Sequence, residues 1–286
     1  MSLFKKLFST LLFAGAALSA QAETFVFTAI PDEDESRLQQ RFNKVADYLS
    51  EQLDVDVKYI PVKSYAAAIT AFRNNQVQLA WFGGLSGVQA RRLVPGSEAI
   101  AQGYEDQFFK SYFIANSSTG LTAAENLTDA LKGKTFTFGS KGSTSGRLMP
   151  EFYLREAFKA APEDVFERVG FSGDHSRTIA QVQSGAYQVG AVNYTVWENE
   201  LAAGNIDPAK VSVIWETPTY TDYQWTIRGD VNSRFGEGFK DKVRQALLNM
   251  KDKDLLASFP RESFVPATNA DYQAIEDTAK AIGLID

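Results

Sequence analysis

The residues best suited to chemistry lie in one turn. Between the apolar run at residues 135–138 and a helical pattern beginning near Arg147, the chain reads GSKGSTSGR. Ser143, Thr144 and Ser145 are consecutive there, between Gly142 and Gly146. A helix N-terminus leaves its first N–H groups unpaired and carries roughly +0.5 of a charge. Three hydroxyls at such an end, with glycines that let the backbone approach, suit a small tetrahedral anion. Simple N-capping accounts for one hydroxyl of the three, and local pattern leaves both readings open. A nucleotide P-loop is excluded, because Arg147 follows Gly146 where its lysine would stand.

Other candidates are spread along the chain. His175 is the sole histidine. As a cation or an N–H donor it could face an anion, whose charge would raise its pKa; the alternative is a solvent-facing residue in a capping turn. Tyr65 offers a phenol donor or a packing surface. Trp81 and Phe82 precede Gly83-Gly84-Leu85-Ser86, where Trp81 is expected as an apolar wall limiting ligand size, or as core, and Ser86 as a further donor. The acidic run at residues 31–36, PDEDES, lacks the EF-hand frame. It is expected to be a solvated helix start, and no metal or cofactor is expected. Ser143 or Ser145 with His175 would be the parts of a serine hydrolase, but no GxSxG elbow is present.

The elements that must position these residues follow from periodicity. An apolar run at 24–30 reads as a strand, and Leu38, Phe42, Val45, Leu49 and Leu53 mark an amphipathic helix. A strand at 55–59, a helix at 65–73 and a strand at 77–82 complete a βαβαβ order, which points to a parallel sheet covered by helices. A second α/β unit has strands at 109–115, 135–138, 166–171 and 187–192, with helices at 147–158 and 176–183. Strands at 211–215 and 223–227 precede a mainly helical end. An internal repeat relates AAAITAFRNNQVQLAWFG to HSRTIAQVQSGAYQVGAVN at an offset of 110 residues. The offset equates Tyr65 with His175. Both fall beside helix starts at the carboxyl ends of strands, where open α/β sheets bind ligands.

Composition narrows the class. The 286 residues carry a net charge of −6, 44% apolar residues and no cysteine. This disfavours a nucleic-acid partner and excludes disulfides and thiolate sites. Lys5 and Lys6, the short apolar run at 7–18 and Ala20-Gln21-Ala22 read as a secretory signal, cut after Ala22. A soluble periplasmic protein is expected.

FTFGSKGSTSGRLMP resembles the FGxxxSTSGxxxP signature of the periplasmic phosphonate-binding proteins of ABC transporters, which include phosphite and hypophosphite binders. The resemblance extends over nearly the whole mature chain. It includes SYAAAITAFRNNQVQLAWFGG and FSGDHSRTIAQVQSGAYQVGAVN. It implies an α/β, two-lobed type II periplasmic binding protein fold with a mixed sheet in each lobe, two crossover strands, and the ligand between the lobes. Lobe 1 would comprise residues 23–115 plus 221–286 and lobe 2 residues 116–220, with hinges near 115–118 and 217–220. Ser143, Thr144 and Ser145 would hold the oxyanion, Tyr65 and His175 would match ligand positions, and Asp222 would fall near an acidic ligand position. The partners implied are a small oxyanion (phosphonate, phosphite, or a sulfate- or selenate-like ion) and an inner-membrane ABC permease, with the receptor a monomer. Feeding a membrane sensor is the alternative role.

Overall fold

The computed structural model describes residues 23–286. The signal segment expected at 1–22 lies outside the described residues. The chain begins with β1 (Phe25–Ala29), α1 (Glu35–Leu53), β2 (Val57–Tyr59), α2 (Tyr65–Arg73), β3 (Leu79–Phe82), α3 (Gly84–Leu93) and β4 (Glu98–Gly103). The second unit holds β5 (Ser111–Asn116), β6 (Thr135–Phe138), α4 (Met149–Phe158), α5 (Pro162–Val165), β7 (Arg168–Phe171), α6 (His175–Gln183), β8 (Val189–Asn193), α7 (Tyr194–Ala202) and β9 (Val211–Glu216). The chain then returns through β10 (Gln224–Ile227), α8 (Val231–Phe235), α9 (Phe239–Leu248), α10 (Lys253–Ser258), β11 (Phe264–Pro266) and α11 (Gln273–Ala281).

Two mixed sheets result, ordered β11-β4-β10-β3-β1-β2 and β7-β6-β8-β5-β9. In the first, β1, β2 and β3 are parallel, as the βαβαβ order requires. Phe25, Phe27 and Ala29 on one face of β1 and Thr28 on the other are all buried, as expected of a parallel strand covered on both faces. The stripe Leu38, Phe42, Val45, Leu49 and Leu53 buries one side of α1. Phe42 stacks on Tyr59 at 5.1 Å and meets Phe27 edge-on at 6.1 Å. Asp34 caps α1, accepting from the N–H groups of Ser36 and Arg37 at 3.0 and 3.1 Å.

The repeat is structural. α2 and α6, β3 and β8, and α3 and α7 begin at, or within a residue of, the same 110-residue offset. Ser64 caps α2 and Asp174 caps α6, each accepting from the N–H three residues on.

Each sheet also receives an antiparallel strand from a crossing segment: β10 sits between β4 and β3, and β5 between β8 and β9. This corrects the sequence boundary. The strand ending at residue 116 belongs to the second sheet, so the first crossing precedes it, at residues 104–110, and is not near 115–118. Periodicity marks a strand there but not which sheet takes it. The second crossing, residues 217–223, contains the expected 217–220. The two crossings are bonded to each other, Phe109 N to Tyr220 O at 2.8 Å and Tyr220 N to Phe109 O at 2.9 Å.

A buried ion pair anchors them. Asp106, in the turn Tyr104–Phe108, accepts from Arg261 Nε at 2.9 Å and Nη2 at 2.7 Å, and from Gly103 N at 2.9 Å. Its carbonyl accepts from Asp222 N at 2.9 Å. Removing one partner of such a pair leaves an uncompensated buried charge. Arg261→Ala is therefore expected to lower unfolding stability by about 3–5 kcal/mol in a urea titration. Replacing both partners with apolar residues of similar volume should cost less.

Candidate functional site

The turn after β6 does not run straight into an α-helix at Arg147, as the periodicity predicts. Residues Thr144–Leu148 form a π turn capped by Ser143, whose Oγ accepts from Gly146 N at 2.9 Å, and α4 follows. The capping role thus belongs to Ser143, while Thr144 and Ser145 remain for other partners; all three are buried. A Cβ on Gly146 would lie 3.0 Å from both Ser143 Oγ and the His175 ring. That close approach requires glycine.

Thr144 reaches the other lobe. Its Oγ1 accepts from Leu85 N at 2.9 Å in the first turn of α3. The neighbouring Gly84 N donates to Asp222 Oδ1 at 2.8 Å. The orphan N–H groups at the start of α3 are thus capped by side chains from the second lobe and the second crossing, since Gly83 supplies none. A Cβ on Gly83 would sit 3.1 Å from Asp222 Oδ1 and 3.4 Å from Thr144 Oγ1. Ser145 is fixed by its carbonyl, which accepts from Ser111 Oγ at 2.8 Å. Ser111 Oγ in turn lies 2.6 Å from Tyr220 Oη.

Tyr65 and His175 open α2 and α6, one in each lobe, and both are buried. Tyr65 stands against the serine turn: a Cβ on Gly142 would lie 3.3 Å from the Tyr65 Cβ. Its phenol is raised well above 10 by burial and by the carboxylates of Asp32 and Asp222, against a lowering by the Ser143 hydroxyl.

Four of these residues each keep one buried polar atom without a protein partner: Tyr65 Oη, Ser145 Oγ, His175 Nε2 and Asp222 Oδ2. A buried unsatisfied group costs about 1–3 kcal/mol. Four together rival the ~5–15 kcal/mol net stability of a typical fold, so the arrangement is made for a polar partner.

The protonation states follow from burial. His175 is pushed down to about 3 by desolvation, so it is neutral, not the cation considered from sequence. Nδ1 accepts from Asn193 N at 3.3 Å. This puts the ring proton on Nε2, the unpartnered atom, and makes His175 an uncharged donor. Asp222 is raised to about 7, first by burial, opposed by the Gly84 N–H and the Thr144 hydroxyl, with Asp106 adding to the rise. Ser145 also favours its charged form electrostatically, without hydrogen-bond geometry between the two side chains. Asp222 is buried, holds the Gly84 backbone amide with one oxygen and presents the other, near its point of titration.

Two candidates go elsewhere. Trp81 is packed in the aromatic core, stacked on Tyr223 at 5.5 Å and meeting Trp225, Phe259 and Phe264; its place on β3 turns it toward that cluster and not toward the serine turn. Ser86 is buried in α3 and donates to Gly83 O at 3.2 Å, a local back-bond.

The acidic run is only partly the solvated helix start expected of it. Asp34 caps, but Asp32 and Glu33 are buried. Asp32 Oδ2 accepts from Tyr223 Oη at 2.7 Å, and that phenol accepts from Asn193 Nδ2 at 3.0 Å. Glu33 pairs with Arg41 at 2.6 Å. The signal for Asp32 was its place just past the carboxyl end of β1, the zone that marks Tyr65 and His175. Arg147 turns away from the turn, to Glu151 at 3.1 Å and over the Phe171 ring. Among the described residues no group of His, Asp and Glu is placed to hold a metal ion, and no helix is long and apolar enough to cross a membrane.

The chain is similar to known proteins over most of its length. Residues 27–272 match the family model for the phosphonate periplasmic substrate-binding protein of ABC transporters. A Prochlorococcus marinus protein named "Probable ABC transporter phosphite binding protein" is 44% identical over 264 residues, covering 90% of this chain and 89% of its own. The phosphonates-binding periplasmic protein of Escherichia coli is 26% identical over 254 residues, covering 86% and 72%. The structure of the Prochlorococcus marinus protein in complex with methylphosphonate superposes with a TM-score of 0.88 at 43% identity, covering 92% and 99%. A Pseudomonas aeruginosa ABC phosphonate transporter component, 22% identical, shares the fold with a TM-score of 0.80, covering 90% and 86%.

With His175 at about 3 in the folded protein and 6.5 as its ordinary value, the unfolded chain takes up the proton first, so acid weakens the fold through His175 as pH falls below about 6.5. Nitrogen NMR of the folded, ligand-free protein should show a neutral ring with its proton on Nε2 from pH 8 down to pH ~4. A charged ring at pH ~6 would contradict the assignment.

Proposed function

Because this chain belongs to the periplasmic substrate-binding proteins of phosphonate ABC transporters and has their two-lobed type II fold, we propose that it binds a small, singly protonated phosphorus oxyanion between its lobes and delivers it to an inner-membrane ABC permease. The mature protein, cut near Ala22, works as a periplasmic monomer in this reading. The observation that carries it is the set of four buried, unpartnered polar atoms from both lobes and a crossing segment.

The donor set fits that ligand. Ser143, Thr144 and Ser145 hydroxyls, the Tyr65 phenol and His175 Nε2–H are uncharged donors that replace hydration around a tetrahedral ion. The low proton affinity of His175 makes it a poor general base, which favours binding over covalent chemistry by Ser143 or Ser145. Asp222 supplies selectivity. Its free Oδ2 either accepts the proton of a hydrogen phosphite or hydrogen phosphonate, or donates one to the dianion. Sulfate- and selenate-like ions have no proton to give near neutral pH, and above about 7 they face a bare carboxylate. The ligand classes named in the relatives, phosphite and methylphosphonate, both fit. Closure follows from ligand that contacts both lobes and so prefers the shut form.

Ser145→Ala removes one donor to a charged ligand, a loss of about 1.5–3 kcal/mol. Methylphosphonate or phosphite should bind roughly 10- to 150-fold more weakly by calorimetry, with the ligand-free melting temperature little changed. Normal binding would remove the turn from the site. Asp222→Asn keeps an acceptor for Gly84 N and turns Oδ2 into a permanent donor. It should weaken phosphite relative to sulfate in competition at pH ~8, where the native carboxylate discriminates most.

A further inference from the structure

A second polar contact joins the lobes beside Trp81 and Tyr223. Asp32, Arg41, Trp81 and Tyr223 on one side and Asn193 and Thr195 on the other line a cavity of about 20 Å³. Asp32 Oδ1, Arg41 Nε and Thr195 Oγ1 are buried and have no protein partner. A water needs roughly 10–15 Å³ and two to four polar partners. The volume meets the first requirement, and the three residues that carry these atoms all line the cavity. A carboxylate, a guanidinium and a hydroxyl together offer donors and acceptors, which suits a neutral molecule that can do both.

We propose that one ordered water occupies this cavity, joins Asp32 and Arg41 of the first lobe to Thr195 of the second, and completes a latch that holds the lobes shut without touching the ligand.

The protein bonds around it already run between the lobes. His175 N donates to Asp32 O at 2.9 Å, and Asn193 Nδ2 donates to the Tyr223 phenol at 3.0 Å, itself bonded to Asp32 Oδ2. Glu33 fixes the Arg41 guanidinium at 2.6 Å. Arg37 of α1 pairs with Glu200 of α7, which also accepts from Ser176 Oγ at 3.0 Å. The start of α1 therefore grips α6 and α7 together. None of these second-lobe contacts survives if the lobes separate. Latch energy consequently appears in the opening step, which limits ligand escape, while the open form that captures ligand is unaffected.

The inference rests on the reading of the cleft as the ligand site, and one experiment tests the two separately. Stopped-flow binding of methylphosphonate is followed by tryptophan fluorescence, since Trp81 stacks on the latch phenol Tyr223. Thr195→Val keeps the shape of the side chain and removes the hydroxyl. It should raise the dissociation rate at least about threefold, change the association rate less than about twofold, and leave the ligand-free melting temperature in place. Thr195→Ser should restore the slow dissociation. Saturable binding with an unchanged dissociation rate in Thr195→Val overturns the latch and leaves the cleft assignment standing. No binding by the unsubstituted protein overturns the cleft reading and the latch with it.

Discussion

Removal of polar groups from water governs this molecule. Burial is the leading cause of the shifts at Tyr65, His175 and Asp222, and in each case it favours the uncharged form. A site built this way does not attract an anion by opposite charge, and the chain as a whole is acidic. In the proposed function it would hold one by offering dipoles already fixed in place, so that little reorganisation is needed when water leaves. The price is that each dipole must be held by something else. Ser145 is held by Ser111, His175 by Asn193 N, and Asp222 by Gly84 N. The supporting bonds are as much part of the site as the atoms they present.

These supports explain why the two crossings matter. Asp222 and Tyr220 lie on the second, and Asp106 on the first contacts the backbone of Asp222. Ser111 stands where the first crossing enters its sheet. The crossing segments thus carry polar side chains to the junction of the lobes, and in the proposed function a change in angle between the lobes would displace donors and not only walls. The 110-residue repeat adds the complementary half of the design: α2 and α6 present Tyr65 and His175 from equivalent first-turn positions of opposite lobes.

Much of this was legible in the sequence. The α/β character, the paired units, the serine turn and the equivalence of Tyr65 with His175 followed from periodicity, from turn composition and from the repeat; the family resemblance grouped Ser143–Ser145 with Tyr65 and His175. What was not legible depended on tertiary choice. Whether β5 joins the first or second sheet is invisible to local alternation. Trp81 lies one residue before the end of a strand that two glycines follow, as a ligand wall would, yet strand pairing with Trp225 commits it to the core. Asp32 and Glu33 read as solvent-facing because acidic runs usually are; the buried phenol of Tyr223, distant in sequence, and Arg41 of α1 reverse that. The charge state of His175 could not be read at all, since it rests on complete burial.

The insertion of β10 has a bearing on how the chain acquires its shape. The middle of the first sheet is filled by a strand from near the C-terminus, between β3 and β4, which were made long before it. Until residues 224–227 emerge, β3 and β4 have no shared neighbour, and the first lobe cannot close its own core. Such distant pairings are slow to form. In a nascent chain of this topology the second sheet has all its strands by residue 216, while the first stays open until residues 224–227 emerge, so the lobe begun first is the one completed last.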